Sequence, residues 1–321
     1  MMKGAKNGRT TSWVLLLTIV YTVNGLQHLL TPRRQFVSTI STLVGALNVP
    51  ESSLSQGTPE KVYDSLSSKL LSMIPITKSG APVTNATLSE EMTSTIETFV
   101  SYMEESTPTR NNIESPLLSG SWRLVYSNAP EIVGLAKGLP LGFFLGPTYQ
   151  PLDTAQGFFE NTARVDHPYK LATLRTIVVG NIQGSPKGSI NEAGVINDKN
   201  NRVTVNFEVI AFELDTLLGR PLQTPIRKTL VPKPIKEGTA LPANDQTYLD
   251  ERVRIVRGGD GSLFVFSRET SGDFAPLTEK ERADFLESTS SQSTLLVGQD
   301  WDREQGKTSK EIPAEIKYLY R

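Results

Sequence analysis

The chain has no cysteine and two histidines, His28 and His167, among 321 residues. Without thiols there is no disulfide, no thiolate nucleophile, no zinc–thiolate site and no iron–sulfur cluster. A metal site of several histidines is excluded too. A histidine-based triad would have to use His167, and no Gly-x-Ser-x-Gly elbow supplies its serine. Phosphate loops are equally absent. Gly306-Lys307-Thr308 has Trp301 where such a loop needs glycine, and Gly258-Gly259-Asp260-Gly261 sits between two strand-like runs as a hairpin turn. Asp198-Lys199-Asn200-Asn201-Arg202 lacks the turn glycine and closing glutamate of a calcium loop. Asp250 and Glu251 are neighbours in an extended run, so they point to opposite faces and make no catalytic pair. These absences give an expectation of no catalytic residue, no metal and no cofactor, hence a non-enzymatic protein.

A second absence is local. Residues 1–50 contain no Asp or Glu but five basic residues, which leaves the rest of the chain with an excess of about six acids. That surface is a poor match for nucleic acid. Lys3, Lys6 and Arg9 precede the apolar run 13–23, which is followed by Asn24-Gly25. The run is about half of the roughly 20 residues needed to span a bilayer, so residues 1–25 read as a signal peptide. Residues 26–50 are acid-free, hydroxyl-rich and carry Arg33 and Arg34, the composition of a transit peptide. The two together predict targeting to a plastid enclosed by extra membranes. Simple secretion is the competing reading, and it would expose the sequon Asn85-Ala86-Thr87 to glycosylation.

Past this leader the chain divides into three parts. Residues 59–105 hold two helical patterns. In 59–74, Val62, Tyr63, Leu66, Leu70, Met73 and Ile74 recur at helical spacing between Pro59 and Pro75. In 89–105, Met92, Ile96, Phe99, Val100 and Met103 share a face behind a Ser89 cap. From 117 to 269 the period becomes two. Trp122, Leu124 and Tyr126 alternate, as do Val203, Val205, Phe207, Val209 and Ala211. Phe212 and Leu214 then change parity, which predicts a bulge near Ile210. Short strands with turns and no intervening helix predict an antiparallel barrel or sandwich. Residues 270–321 form a polar extension, helical over 277–288.

The segment 134–147 carries one charge, Lys137, and glycines at 134, 138, 142 and 146. Its length and Pro140 argue against a membrane helix. Two readings stay open: a loop folded over one end of the strands, or an apolar lid in which Leu139, Leu141, Phe143, Phe144 and Leu145 meet lipid.

Three stretches, 115–132, 145–165 and 247–269, together resemble the plastid lipid-associated proteins, or fibrillins. The resemblance implies a mainly β protein, an antiparallel lipocalin-like β-barrel preceded by two α-helices. It also implies association with plastoglobules or thylakoids and with hydrophobic metabolites such as prenylquinones and carotenoids. In barrels of that type a Gly-x-Trp opens the first strand and the Trp plugs the closed end. Gly120 and Trp122 match, with Arg254 or Arg268 as the arginine over the ring. Tyr126, Phe143, Phe144, Tyr149, Phe158, Phe207, Phe212, Tyr248 and Phe264 are the aromatics expected along the interior or rim. Expected partners are a hydrophobic small molecule and peripheral lipid. The alternative reading is a scaffold for a plastid prenyl-lipid biosynthetic enzyme.

Overall fold

The computed structural model describes residues 59–107, 112–139, 142–191, 194–232, 242–271, 274–290 and 295–297. The expected signal peptide (1–25) and transit-like leader (26–50) lie outside the described residues, as do Pro140, Leu141 and 298–321.

Two helices come first. Helix α1 spans Pro59–Met73 and α2 spans Glu90–Glu105. The amide of Met92 donates to Ser89 Oγ at 3.2 Å, which satisfies an N–H that the first turn leaves free. Ile96, Phe99, Val100 and Met103 lie on the buried side of α2, as their spacing requires.

The remainder is mainly β. In chain order come β1 (Val83–Thr84), β2 (Gly120–Ser127), helix α3 (Pro130–Ala136), β3 (Phe144–Asp153), β4 (Phe158–Asp166), β5 (Ala172–Gly184) and β6 (Arg202–Leu217). After these come β7 (Arg220–Pro232), β8 (Ala243–Leu249), β9 (Val253–Gly258), β10 (Leu263–Arg268), helix α4 (Glu279–Ser290) and β11 (Leu295–Val297). They form one sheet of 11 strands, antiparallel except where β1 joins β2 and β11 joins β7. Strand β6 is long enough to serve three neighbours. It pairs β5 along its length, β7 from Ile210 onward and β8 through Arg202, Val203 and Thr204. The hydrogen-bonded path from β6 through β5, β4, β3, β2, β10, β9 and β8 therefore returns to β6.

Two bulges decide which side chains share a face. In β6 the register shifts opposite Val179 and Gly180, so Phe207 pairs with Gly180 and Val209 with Val179. The extra residue is Glu208, two positions before the site expected from parity. In β10 the register shifts between Val265 and Phe266, which face Tyr126 and Leu124. This corrects the expectation that Trp122, Leu124 and Tyr126 form one row. Trp122 and Leu124 pack inside with Phe159, Leu249, Val256 and Phe266. Tyr126 turns to the opposite layer, where Tyr248, Ile255 and Val265 meet the apolar faces of α1 and α2. On another outer face, Phe285 of α4 packs on Val179, Val209 and Ala211.

Gly180 is where these demands meet. A Cβ there would lie 2.5 Å from Asn206 O and 2.5 Å from Phe159 Cε1. Gly180→Ala is expected to lower the urea midpoint by the equivalent of about 1–3 kcal/mol. An unchanged midpoint would show that the bulge can relax.

Candidate functional site

One end of the interior is closed by Trp122, which is fully buried. Its Nε1 donates to Leu118 O at 2.9 Å. Both arginines anticipated from sequence lie over the ring, Arg268 at 4.0 Å and Arg254 at 5.3 Å. Arg268 donates onward to the carbonyls of Leu117, Ser119 and Glu251. Gly120 makes this approach possible: its φ is +122°, and a Cβ would fall 2.6 Å from Arg268 Nη1.

Arg254 is buried with no carboxylate beside it among the described residues. Its Nη2 donates to Gln150 Oε1, and its guanidinium lies 4.2 Å from the Phe266 ring. Gln150 in turn donates to Asn161 Oδ1 at 2.8 Å. Burial pushes the Arg254 pKa well below its usual value, and the Arg268 charge adds to that. The cavity beside Arg254, lined also by Gln246, Asn244, Phe159 and Val205, has room for about one water molecule. This end is filled by side chains.

The other end is crossed by α3 and the chain leading to β3. Ala129 and Ile132 pack into the Trp122 layer. Leu135, Leu139 and Leu145 form a layer above it with Val165, joined by Phe143, Ala163 and Leu174. Lys137, Gly138 and Gly142 face solvent. Phe143 is half-buried, edge-on to the His167 ring at 5.1 Å. Among its described residues the glycine-spaced segment is thus a cover, with Leu135, Leu139 and Leu145 pointing down and its one charge, Lys137, pointing out.

The expected aromatics distribute over three environments. Phe207 lies inside, edge-on to Phe159 at 5.7 Å, and Phe264 packs against the same layer. Phe212 pairs with Thr176, next to the pair Leu174 and Leu214; antiparallel partners share a face, and this is the face of Phe207, opposite to α4. Phe158 and Tyr149 face outward, Phe158 under the Arg282 guanidinium at 4.2 Å and Tyr149 stacked on Phe274 at 3.7 Å. Tyr126 and Tyr248 sit under the N-terminal helices. The Tyr126 hydroxyl donates to Glu97 at 2.6 Å and that of Tyr248 to Asp250 at 2.7 Å; burial raises both phenol pKa values. Phe144 opens β3, half-buried and paired with Asp166.

Sequence reasoning passed over Phe159, Gln150 and Asn161. Counting by two from Arg164, which must face water, would have placed Phe159, Asn161, Ala163 and Val165 inside and Phe158 outside. It also could not see Glu160. This carboxyl is buried on the outer face, 3.8 Å from Arg282 of α4, and only the Leu277 backbone N–H approaches its oxygens. Burial pushes its pKa up to about 7 against the opposing Leu277 backbone N–H and Arg282 charge. Such a group is what acid–base chemistry on a lipid would require, but it lies under α4 and not in the interior.

Among the described residues no group of His, Asp or Glu is arranged to hold a metal, and no helix is long and apolar enough to cross a membrane. A family model described as PAP_fibrillin matches residues 64–267, from α1 to the end of β10. No curated protein and no solved structure matches the chain.

Proposed function

Because this chain belongs to the PAP_fibrillin family of plastid lipid-associated proteins, we propose that it holds a hydrophobic metabolite, without catalysis, inside the circuit of strands β2–β6 and β8–β10. On this reading the circuit is a lipocalin-like barrel plugged by Trp122. The ligand is a prenylquinone, a carotenoid or another lipid, and the protein works at plastoglobules or thylakoids. The acid-free leader 1–50 supports delivery to a plastid.

One observation carries the reading. Above the filled end, the inner face of β5 and β6 stays apolar but is not fully covered. Val178 and Ile210 are buried, whereas Leu174, Phe212 and Leu214 keep part of their surface open. Apolar side chains left uncovered on the concave side of a sheet suit an apolar guest.

Solvent extraction of the purified protein followed by mass spectrometry tests this. A prenyl lipid should be recovered in near-stoichiometric amount. Phe212→Asp should reduce it about tenfold or more, since one apolar wall is exchanged for a charge, while circular dichroism stays unchanged. A protein that carries no lipid, and takes up none from emulsions, would contradict the proposal.

A further inference from the structure

The turns at the covered end form a second apolar feature, separate from the interior. Ala172 pairs with Leu217, so the β4–β5 and β6–β7 turns lie side by side. They are tied by a hydrogen bond from Leu218 N to Leu171 O at 2.6 Å. The cover joins them through the stack of Phe143, His167 and Tyr169, with ring separations of 5.1 and 5.7 Å. Tyr169 is 81% exposed, Leu218 73%, Leu171 and Leu217 44% each. Lys170 and Leu218 both hold positive φ, 53° and 51°. Non-glycine residues adopt that conformation at a cost, and here it sets bulky side chains at the outermost points of the fold.

Cations are in excess around these tips: the flanking acids Asp166 and Asp215 are matched by Arg164 at 2.8 Å and Arg175 at 3.8 Å. Residues 167–174 and 216–236 contain no Asp or Glu, although the chain past residue 50 is acidic on balance. Lys137, Lys170, Arg220 and Lys228 are exposed, and no described carboxylate pairs with them. The opposite end has an apolar finger as well, Ile190, Val195 and Ile196, but Glu192 and Asp198 share its loop. There Lys187 and Lys199 are equalled in number by those two acids, whereas Lys137, Lys170 and Arg220 are in excess at the first set.

We propose that the paired tips, Tyr169-Lys170-Leu171 and Leu217-Leu218-Gly219-Arg220, dock the protein on an anionic lipid surface. Tyr169 and Leu218 enter the headgroup region, and Lys170 and Arg220 meet the negative headgroups. Docking there sets the described residues of the cover, 137–139 and 142–143, against the lipid, so a hydrophobic guest passes between membrane and interior without crossing water. This rests on the lipid-carrying reading above and adds to it a surface and a headgroup charge.

Flotation of the full chain with vesicles tests it. One set is phosphatidylcholine alone and the other an equimolar mixture with phosphatidylglycerol. Wild type should float with the mixed vesicles and lose binding as salt rises. Lys170→Ala and Arg220→Ala should each weaken partitioning about fivefold. Tyr169→Ser combined with Leu218→Ser should weaken it about tenfold or more, while Ile196→Ser leaves it unchanged. Equal binding to both vesicle types, or variants that bind like wild type, overturns the proposal. So does a change of oligomeric mass in the Tyr169/Leu218 variant with vesicle binding intact, which would make the tips a contact between copies of this chain. Wild-type chain that carries lipid but floats with neither vesicle overturns this surface alone; chain that does neither overturns the interior reading as well.

Discussion

Trp122→Ala is expected to lower stability by roughly 4 kcal/mol, the usual range for removing a large buried aromatic. The loss has two parts. The indole is fully buried within the layer of Leu124, Phe159, Leu249 and Val256, so its removal leaves a void that those strands cannot close. It also strips the π face from Arg268 at 4.0 Å and Arg254 at 5.3 Å. Among the described residues Arg254 has no carboxylate to fall back on, only the Gln150 amide oxygen, and a buried cation without a counter-charge is costly. For a β region of this size the midpoint of thermal unfolding should fall by about 10 °C. Trp122→Phe should fall between the variant and wild type. A Trp122→Ala protein of near wild-type melting temperature would show that the end of the circuit is not closed by this residue.

The second large effect is a pH dependence at Glu160. Burial raises its pKa from 4.5 to about 7, so between these values the folded protein holds a proton that the unfolded chain has released. The stabilisation is therefore present below pH 4.5 and is lost as pH rises through about 7. Above that the folded state keeps a buried carboxylate with only Arg282 at 3.8 Å and the Leu277 backbone N–H to offset its burial. The full loss is on the order of 3 kcal/mol. The groups facing Glu160 are the Leu277 backbone N–H, Arg282 from α4 and, with the same sign as itself, Asp153 at the end of β3. Glu160→Gln removes the titration and keeps the shape. Its urea midpoint should exceed that of wild type at pH 8, and the gap should shrink toward pH 5. A gap that stays constant with pH would place the titration elsewhere. Arg282 also donates to Gly180 O, Asn181 Oδ1 and Glu208 Oε2, so weakening at this point loosens α4 from β5 and β6.

Much of the fold was legible because its signals are local. The apolar spacing of Ile96, Phe99, Val100 and Met103 and the Ser89 cap marked α2. Strict alternation marked the first half of β6, and the parity change at Phe212 announced a bulge. The bulge at Val265 and Phe266 left no such mark, because Leu124, Val125 and Tyr126 are all apolar and either parity fits. Tyr126 was therefore assigned to the row of Trp122. Glu160 and Arg282 are more than 100 residues apart and meet only once α4 has docked, which no periodicity encodes. The glycine-spaced segment was ambiguous for a related reason. Leu139 and Leu145 are equally apolar whether they cover an interior or face lipid, and the tertiary fold sends them inward.

Photo-crosslinking with a diazirine-bearing prenylquinone, mapped by peptide mass spectrometry, tests the central claim most directly. Labels are expected on Leu174, Phe212 and Leu214 of the inner face, and to disappear when unmodified prenylquinone competes. Labels confined to the layer of Tyr126, Tyr248 and the N-terminal helices, or indifferent to competition, would contradict a hydrophobic guest inside the circuit of strands.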